Sequence, residues 1–529
     1  MSTPRIMFYH DGRHPLIYMY EPPMQKEEYQ HAVDEIAGTP VDVLMFGVGD
    51  GRTVLYDTKV GELWGHHLER WNHAIWRRTH QNARALIDAG HNPLQVAIDR
   101  AHEKGKLIYP VLLVQMPSGE RYGEETLNTR GSLFRFENKQ WDIGAAGDLD
   151  PEWPGYECAD FKHLEIRDER FALIDEILSY PVNGLELSLV HHPYYFHPNE
   201  IDAGREIMTD WIRRVHNAVK AGGEERELVI QVPNSMDEAY SIGLDVRTWI
   251  EEGTVDVLVA AETTGSNLLN AMTDFSPVVE AAKGSDVRVY ANINSLVDSD
   301  RLASGTIEMI RAAATNYWRQ GVDGLYMGHW HERWPYTPDF YEILRELPHP
   351  DVMEYRDKIY IMPTESPRRS TLGREDDPSV QLPRTLESGK SETFTFTISD
   401  DLQKWGDMGR VHEAALRVML SGVSEIDQLT FKLNGSPLPD ALRRTINQMY
   451  RLRSPRHRIF GYWFIFKLDS DHWPQQGKNE LEITLDHRDT VLKMDAGVRD
   501  IELDVKYLMG KNFHRGFVDQ DLGPYDFSS

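Results

Sequence analysis

Four carboxylates follow short apolar runs of the sequence, and their chemistry suits acid/base catalysis. They are Asp11, Asp50, Glu120 and Glu262. Hydrolysis of a glycosidic bond needs two acid/base groups placed across the bond. The four residues are therefore candidates for such a pair, although a carboxylate in this position also suits a solvated loop charge or a helix cap.

Other polar and aromatic residues follow the same apolar runs, and together they suit a sugar. Aromatic faces pack on the apolar side of a pyranose ring, while carboxylates and amides bind its hydroxyls. We therefore predict a carbohydrate-binding site that includes Arg13, His14, Asp50, Arg52, Gln115, Arg121, Glu186, His191, His192, Tyr194, Asn234, Asn292, His329 and Trp330.

Glu186 differs from the other acidic candidates because it lies within an apolar run. It alternates with Leu185 and Leu187, which places it with Ser188 on the opposite face of a strand. Two interpretations stay open: a polar layer inside the fold, or a group that reaches the floor of the site.

The histidines suggest a rival chemistry, since imidazole and carboxylate together bind zinc. Candidate ligands are His10, His14, His191, His192, His329 and His331. Metal-dependent barrel hydrolases usually carry His-x-His at the end of the first strand, where this chain reads His10-Asp11-Gly12-Arg13. We therefore favour a site without a metal or another cofactor.

The elements that must position these residues follow one pattern over residues 1–350. Short apolar runs alternate with amphipathic helical stretches, which is typical of a (β/α)8 TIM barrel. An open doubly wound sheet is the alternative, but no Gly-x-Gly-x-x-Gly loop follows the first run. The eight runs are Arg5–Tyr9, Val41–Gly47, Leu107–Val114, Val182–Val190, Leu228–Val232, Val255–Ala261, Val287–Ala291 and Gly324–Met327.

The pattern changes after the barrel. Residues 351–390 read as a linker or surface strap, since Pro, Ser, Thr, Arg and Glu dominate much of the segment. Alternating runs over 391–510 predict a C-terminal β-sandwich of jelly-roll type. Residues 511–529 read as an irregular arm. We expect the sandwich to support the barrel or an oligomer interface, with carbohydrate binding as the alternative.

Composition excludes several classes of protein. The 529 residues are 40% hydrophobic and 27% charged, which is a globular composition. Lysine and arginine number 57 against 84 acidic residues, a net charge of -27 that repels nucleic acid and anionic membranes. The single cysteine, Cys158, excludes an internal disulfide. Met1–Tyr20 lacks the pattern of a signal peptide, so we expect a cytoplasmic or periplasmic protein.

Several motifs resemble a broad group of family-10-like glycosyl hydrolases. They include Gly49-Asp50-Gly51, Gly184-Leu185-Glu186, His192-Pro193-Tyr194-Tyr195-Phe196, Asn316-Tyr317-Trp318 and Gly321-Val322-Asp323-Gly324. The group includes the inverting exo-sialidases of glycoside hydrolase family 156, which the chain resembles distantly. That resemblance implies a barrel followed by a β-sandwich, a homodimer, and a catalytic acid at Asp11.

The chain departs from the sialidase pattern at three strand ends. Gln115, Pro117 and Glu120 stand where arginine, asparagine and a catalytic histidine are expected, His191 stands in place of an arginine, and His329 in place of an asparagine. Both arginines that would hold a sialic-acid carboxylate are thus missing. Arg13, Arg52 and Arg121 are candidate replacements.

We therefore predict an exo-acting glycoside hydrolase that is not a sialidase. Asp11 is one catalytic carboxylate, and Glu120 is favoured over Glu262 as its partner. The alternatives are a metal-dependent barrel hydrolase and a non-catalytic carbohydrate-binding barrel.

Overall fold

The computed structural model describes residues 4–119, 129–263, 268–297, 304–330, 333–364, 380–447 and 461–512. Eight parallel strands form a closed barrel, because the first strand pairs with both the second and the eighth. They are β1 Ile6–His10, β2 Val43–Asp50, β3 Leu107–Leu113, β4 Gly184–Ser188, β5 Glu227–Pro233, β6 Val257–Ala261, β7 Arg288–Ile293 and β8 Gly324–Met327. The predicted TIM barrel is confirmed.

Alternation along the strands decides which side chains fill the barrel. Met7 and Tyr9 of β1 pack inside with Met45 of β2 and Tyr326 of β8 in a cluster of their own. The neighbouring residues of the same strands pack outward against the helices. Side chains therefore fill the barrel, so the site must lie at its end and not in a pore.

Helices surround the barrel, and local signals fix their ends. The helix Pro93–Glu103 begins where the Asn92 side chain accepts a hydrogen bond from Leu94 N at 3.1 Å. The helices are α1 Lys26–Tyr29, α2 His31–Asp34, α3 Ala74–Asp88, α4 Pro93–Glu103, α5 Leu133–Glu137, α6 Leu164–Leu178, α7 Ile201–Ala221, α8 Met236–Ser241, α9 Val246–Glu252, α10 Ser276–Ala282, α11 Ile307–Arg319, α12 Pro338–Glu346, α13 Pro350–Met353 and α14 Leu402–Asp407. In the parts of the chain that the structure covers, none of them is long and apolar enough to span a membrane.

Two antiparallel sheets form the predicted C-terminal β-sandwich. Their strands are β9 Lys358–Ile361, β10 Arg384–Thr385, β11 Ser391–Ile398, β12 Val411–Ser421, β13 Gln428–Leu433, β14 Ser436–Pro437, β15 Arg443–Asn447, β16 Gly461–Leu468, β17 Gly477–His487 and β18 Gly497–Tyr507. One sheet has the strand order β9-β18-β12-β16-β15, with β10 also paired to β18, and the other has the order β11-β17-β13-β14. Phe431 contacts Phe466 of the facing sheet, with ring centroids 5.0 Å apart.

Part of the predicted linker belongs to this sandwich, because β9 and β10 both pair with β18. Residues 365–379 of the linker and 513–529 of the predicted arm lie outside the described residues. The sandwich contacts the barrel through α11, where Asn316 donates a hydrogen bond to Thr397 O at 2.9 Å and Ser399 donates one to Thr315 at 2.7 Å. The exact domain boundaries stay predictions.

Candidate active site

Asp11 follows β1 at the carboxyl end of the barrel and is only 6% exposed. Its Oδ1 accepts hydrogen bonds from the backbone N–H groups of Arg13 (3.1 Å) and His14 (3.0 Å), and its Oδ2 pairs with Arg13 Nε at 3.3 Å. Gly12 has a φ of +67°, and a Cβ there would lie 2.1 Å from Gly47 O. The loop therefore requires glycine at this position to turn tightly and hold Asp11 in place.

Asp50 ends β2 and is held by Arg130. The two side chains form a bidentate pair, with Arg130 Nε 2.5 Å from Oδ2 and its terminal nitrogen 2.6 Å from Oδ1. Burial opposes ionisation of Asp50, but the charges of Arg130 and Arg13 outweigh it and hold the pKa well below its usual range. Asp50 is therefore ionised at neutral pH.

Glu186 lies in an environment that favours its neutral form, in contrast to Asp50. It points into the barrel from β4 and is fully buried. The Tyr326 hydroxyl donates a hydrogen bond to Glu186 Oε2 at 2.9 Å, while Oε1 has no hydrogen-bond partner among the residues that the structure describes. Burial raises the pKa of Glu186 to about 8, although the Tyr326 bond lowers it. Glu186 is therefore mainly protonated at neutral pH.

Tyr9 lies near enough to these carboxyl groups for their charges to act on its hydroxyl. Its ring stacks on Tyr326, with centroids 6.5 Å apart. Burial is the main cause of its raised pKa; Arg13 opposes this shift, and the charges of Asp11, Asp50 and Glu186 add to it. Residues from strands β1, β2 and β4 thus meet around one tyrosine at one end of the barrel.

Histidines from two further loops complete this end of the barrel. His191 and His192 follow β4, with ring centroids 4.4 Å apart, and His329 follows β8 with its ring 6.0 Å from that of Tyr9. Burial, aided by His192, lowers the pKa of His191 to about 3. Burial and Arg130 also lower the pKa of His192. Both imidazoles of the pair are therefore neutral at pH 7.

A cavity of about 350 Å³ lies beside this group. Trp64, Trp76, Arg130 and His192 line it, and the two indole rings meet edge to face at 5.7 Å. Neither these tryptophans nor Arg130 are among the residues predicted from the sequence. The tryptophans carry a signal, since Trp64, Trp71 and Trp76 crowd the stretch after β2, but nothing local marks Arg130.

Glu262 follows β6 and is held by two neighbouring side chains. Its Oε1 accepts hydrogen bonds from Asn270 (2.5 Å) and Thr273 (2.9 Å), beside the helix that carries Tyr317. The catalytic role of Glu262 stays a prediction.

Gln115 and Trp330 are both fully buried and make hydrogen bonds within the protein. The Gln115 amide donates to the carbonyl groups of Ala159 and Tyr194 and accepts from two backbone N–H groups, which uses all its hydrogen-bonding capacity. The Trp330 indole donates to Ile293 O at 2.9 Å. Their roles as sugar ligands stay predictions.

Two other predicted ligands are engaged with protein groups. Arg52 contacts Glu62 (3.3 Å) and Glu169 (3.2 Å), and Asn234 donates to Asp274 O at 2.9 Å. The roles of Arg52 and Asn234 as sugar ligands stay predictions.

His14, Tyr194 and Asn292, three further predicted sugar ligands, lie at the carboxyl end of the barrel in different surroundings. His14 packs against Trp334 at 4.9 Å, and the Tyr194 ring lies 5.0 Å from that of Trp153. Asn292 is buried, and its Oδ1 has no hydrogen-bond partner within the described parts of the chain.

Glu120, Arg121 and His331 lie outside the described residues. Gly119, which precedes Glu120 in the sequence, lines the 350 Å³ cavity, and so does Thr129. Glu120 and Arg121 stay predictions.

No group of three or more histidine, cysteine, aspartate or glutamate side chains is arranged to hold a metal ion within the ranges given above. The zinc alternative therefore rests on the sequence pattern of the histidines alone.

Comparison with known proteins gives distant likenesses. No protein-family model and no curated protein sequence matches the chain. Alpha-L-fucosidase isoenzyme 2 from Paenibacillus thiaminolyticus has a TM-score of 0.40 at 12% identity, covering 65% of this chain and 48% of that one, so the chain spans about half the fucosidase.

Two further solved structures are similar at the same level. The alpha-galactosidase TtGalA from Thermus thermophilus has a TM-score of 0.36 at 12% identity, covering 69% of this chain and 64% of that one. The PgaB (BpsB) glycoside hydrolase domain from Bordetella bronchiseptica has a TM-score of 0.39 at 10% identity, covering 65% of this chain and 98% of that one. The structures that the chain resembles thus include glycoside hydrolases, at a distance that assigns no particular activity.

Proposed function

We propose that the protein is a glycoside hydrolase with Asp11 and Glu186 as its acid/base pair. One observation supports this most: two carboxyl groups with opposite environments lie around Tyr9. Asp11 accepts three hydrogen bonds, one from a guanidinium, which favours the ionised form, whereas burial keeps Glu186 protonated. Two carboxyl groups whose environments favour opposite protonation states are suited to act as the acid and the base of a catalytic pair.

The proposed reaction balances with these two groups. Glu186 gives its proton to the glycosidic oxygen as the bond between that oxygen and the anomeric carbon breaks. Asp11 takes a proton from a water molecule whose oxygen bonds to the anomeric carbon from the opposite face. The sequence resemblance to inverting exo-sialidases supports this inverting course, exo action and a homodimer.

The roles of the neighbouring residues follow from their contacts. Asp50 with Arg130, His191, His192, His329 and Asn292 would bind and orient sugar hydroxyls. Glu120 stays the alternative partner of Asp11, because the sequence resemblance places it where the sialidases keep a catalytic histidine.

A screen with chromogenic glycosides and polysaccharides tests the proposal. We expect hydrolysis of at least one glycoside, and loss of that hydrolysis in Asp11→Asn and Glu186→Gln. Sugar binding without turnover by the wild type would instead favour a carbohydrate-binding barrel. Sedimentation at several concentrations tests the dimer.

A further inference from the structure

A carboxyl group on the segment between β1 and β2 is joined to the Asp11 loop by direct contacts. Glu35 follows α2, and its Oε1 accepts a hydrogen bond from the Trp334 indole N–H at 2.7 Å. The Trp334 ring contacts the His14 ring edge to face, with centroids 4.9 Å apart. The His14 backbone N–H donates to Asp11 Oδ1 at 3.0 Å. Three contacts in series therefore connect Glu35 to the proposed base.

His14 is the middle of this series, and its surroundings leave the ring little freedom. The residue is only 5% exposed. Besides Trp334, the rings of Tyr18 and His10 lie against it, with centroid distances of 5.1 and 6.5 Å. Close-packed side chains transmit displacements to their neighbours. A shift of the Trp334 ring would therefore move His14, and with it the backbone N–H that holds Asp11.

Trp334 depends on Glu35 for its polar contact. An indole N–H can only donate, and Glu35 Oε1 is its acceptor. The neighbouring Arg333 is held separately, by Gly305 O at 3.1 Å and by Asp339 at 2.9 Å. A substitution at Glu35 should therefore release the ring of Trp334 while the loop around it stays anchored.

The environment of Glu35 costs stability. Its Oε2 is buried without a hydrogen-bond partner among the residues that the structure describes. Burial raises the pKa of Glu35 to about 7; the Trp334 bond opposes this shift, and the charge of Asp11 adds to it. An apolar side chain would avoid the cost of a buried, unsatisfied oxygen, but it could not accept the Trp334 N–H. The contact with Trp334 is therefore what a carboxyl group supplies here.

We propose that Glu35 is a positioning residue for Asp11. It fixes the ring of Trp334, Trp334 fixes His14, and the His14 N–H holds Asp11 Oδ1 in the orientation that proton transfer requires. This inference rests on the proposed glycoside hydrolase activity and adds to it the contacts that set the geometry of the base.

Two substitutions at Glu35 test this role. Glu35→Met keeps a side chain of similar length but removes the acceptor, whereas Glu35→Gln keeps an oxygen for the Trp334 N–H. A displaced base affects the transition state more than substrate binding, so we expect Glu35→Met to lower kcat about tenfold and to change KM less than about twofold. Glu35→Gln should keep kcat within about threefold of the wild type.

Trp334→Phe removes the donor of the same hydrogen bond and should lower kcat as Glu35→Met does. Because both substitutions break one contact, the double variant should be no slower than the slower single variant. Additive losses would show that the two residues act independently, and would overturn the inference.

Asp34→Leu is the matched control, because Asp34 lies at the same helix end but pairs with Arg100, at 2.8 and 2.9 Å. It should leave kcat within about twofold of the wild type. A normal kcat in Glu35→Met, or a loss as large in Glu35→Gln or in Asp34→Leu, would overturn the inference. If the wild-type protein hydrolyses no glycoside of the screen, the proposed function itself fails.

Discussion

The hydroxyl of Tyr326 on β8 donates a hydrogen bond to Glu186 Oε2 on β4, across the inside of the barrel, at 2.9 Å. This contact fixes one oxygen of the carboxyl group and leaves Oε1 for the proton, which burial retains at neutral pH. A buried acid held in one orientation is suited to donate a proton in one direction.

The central role of Asp11 predicts a large effect of Asp11→Asn. The amide oxygen can still accept the backbone N–H groups of Arg13 and His14, so the loop should stay folded. The amide cannot exchange a proton, and we expect kcat to fall at least about 10²-fold. Steady-state kinetics and the melting temperature, measured together, check this; a near-normal kcat with an unchanged Tm would contradict it.

Burial of Glu186 predicts a pH-dependent stability. Its pKa is about 8 in the folded protein and near 4.5 when unfolded, so the unfolded chain ionises first as pH rises. The free energy of unfolding should therefore fall between about pH 4.5 and 8. Glu186→Gln removes this loss, because the amide stays neutral.

Denaturant titrations of the wild type and Glu186→Gln at pH 5 and pH 8 measure this effect. The variant should gain stability relative to the wild type at the higher pH. A constant difference between the two proteins would show that the pKa of Glu186 is ordinary.

The ion pair of Asp50 predicts that Arg130→Ala destabilises the fold. The substitution leaves the Asp50 carboxylate, which is only 3% exposed, without its partner. Because the Arg130 side chain is 34% exposed, we expect a loss of about 2–3 kcal/mol, below that of a fully buried pair. The contribution is present above the unfolded pKa of 3.8 and is lost as pH falls further.

Arg84→Ala is the control for this measurement, since Arg84 pairs with Asp88 and both side chains are more than half exposed. It should cost less than about 0.5 kcal/mol. An Arg130→Ala variant as stable as Arg84→Ala would mean that Asp50 does not depend on its partner.

Because a site without a metal is favoured, we expect a chelator to leave hydrolysis intact. The prediction rests on the sequence at the end of β1, where His10 is followed by Asp11 and not by a His-x-His pair. Activity is compared before and after dialysis against a chelator. Loss of activity that zinc restores would instead support the metal-dependent alternative.

The barrel strands were predictable because their signal is local. The apolar runs Arg5–Tyr9 and Leu107–Val114 correspond to the observed strands Ile6–His10 and Leu107–Leu113. The Asp50–Arg130 pair was not predictable, because 80 residues separate the partners and the intervening loops bring them together.

The pH dependence of kcat/KM tests the proposed acid/base pair most directly. If Glu186 must be protonated, kcat/KM for the best glycoside of the screen should fall as pH rises through about 8, the pKa that burial gives this group. Glu186→Gln should lose most of the activity, and its residual rate should lack that basic limb. A wild-type profile that stays flat from pH 6 to about 9, or a Glu186→Gln variant with full activity, would contradict the assignment and return Glu120 as the partner of Asp11.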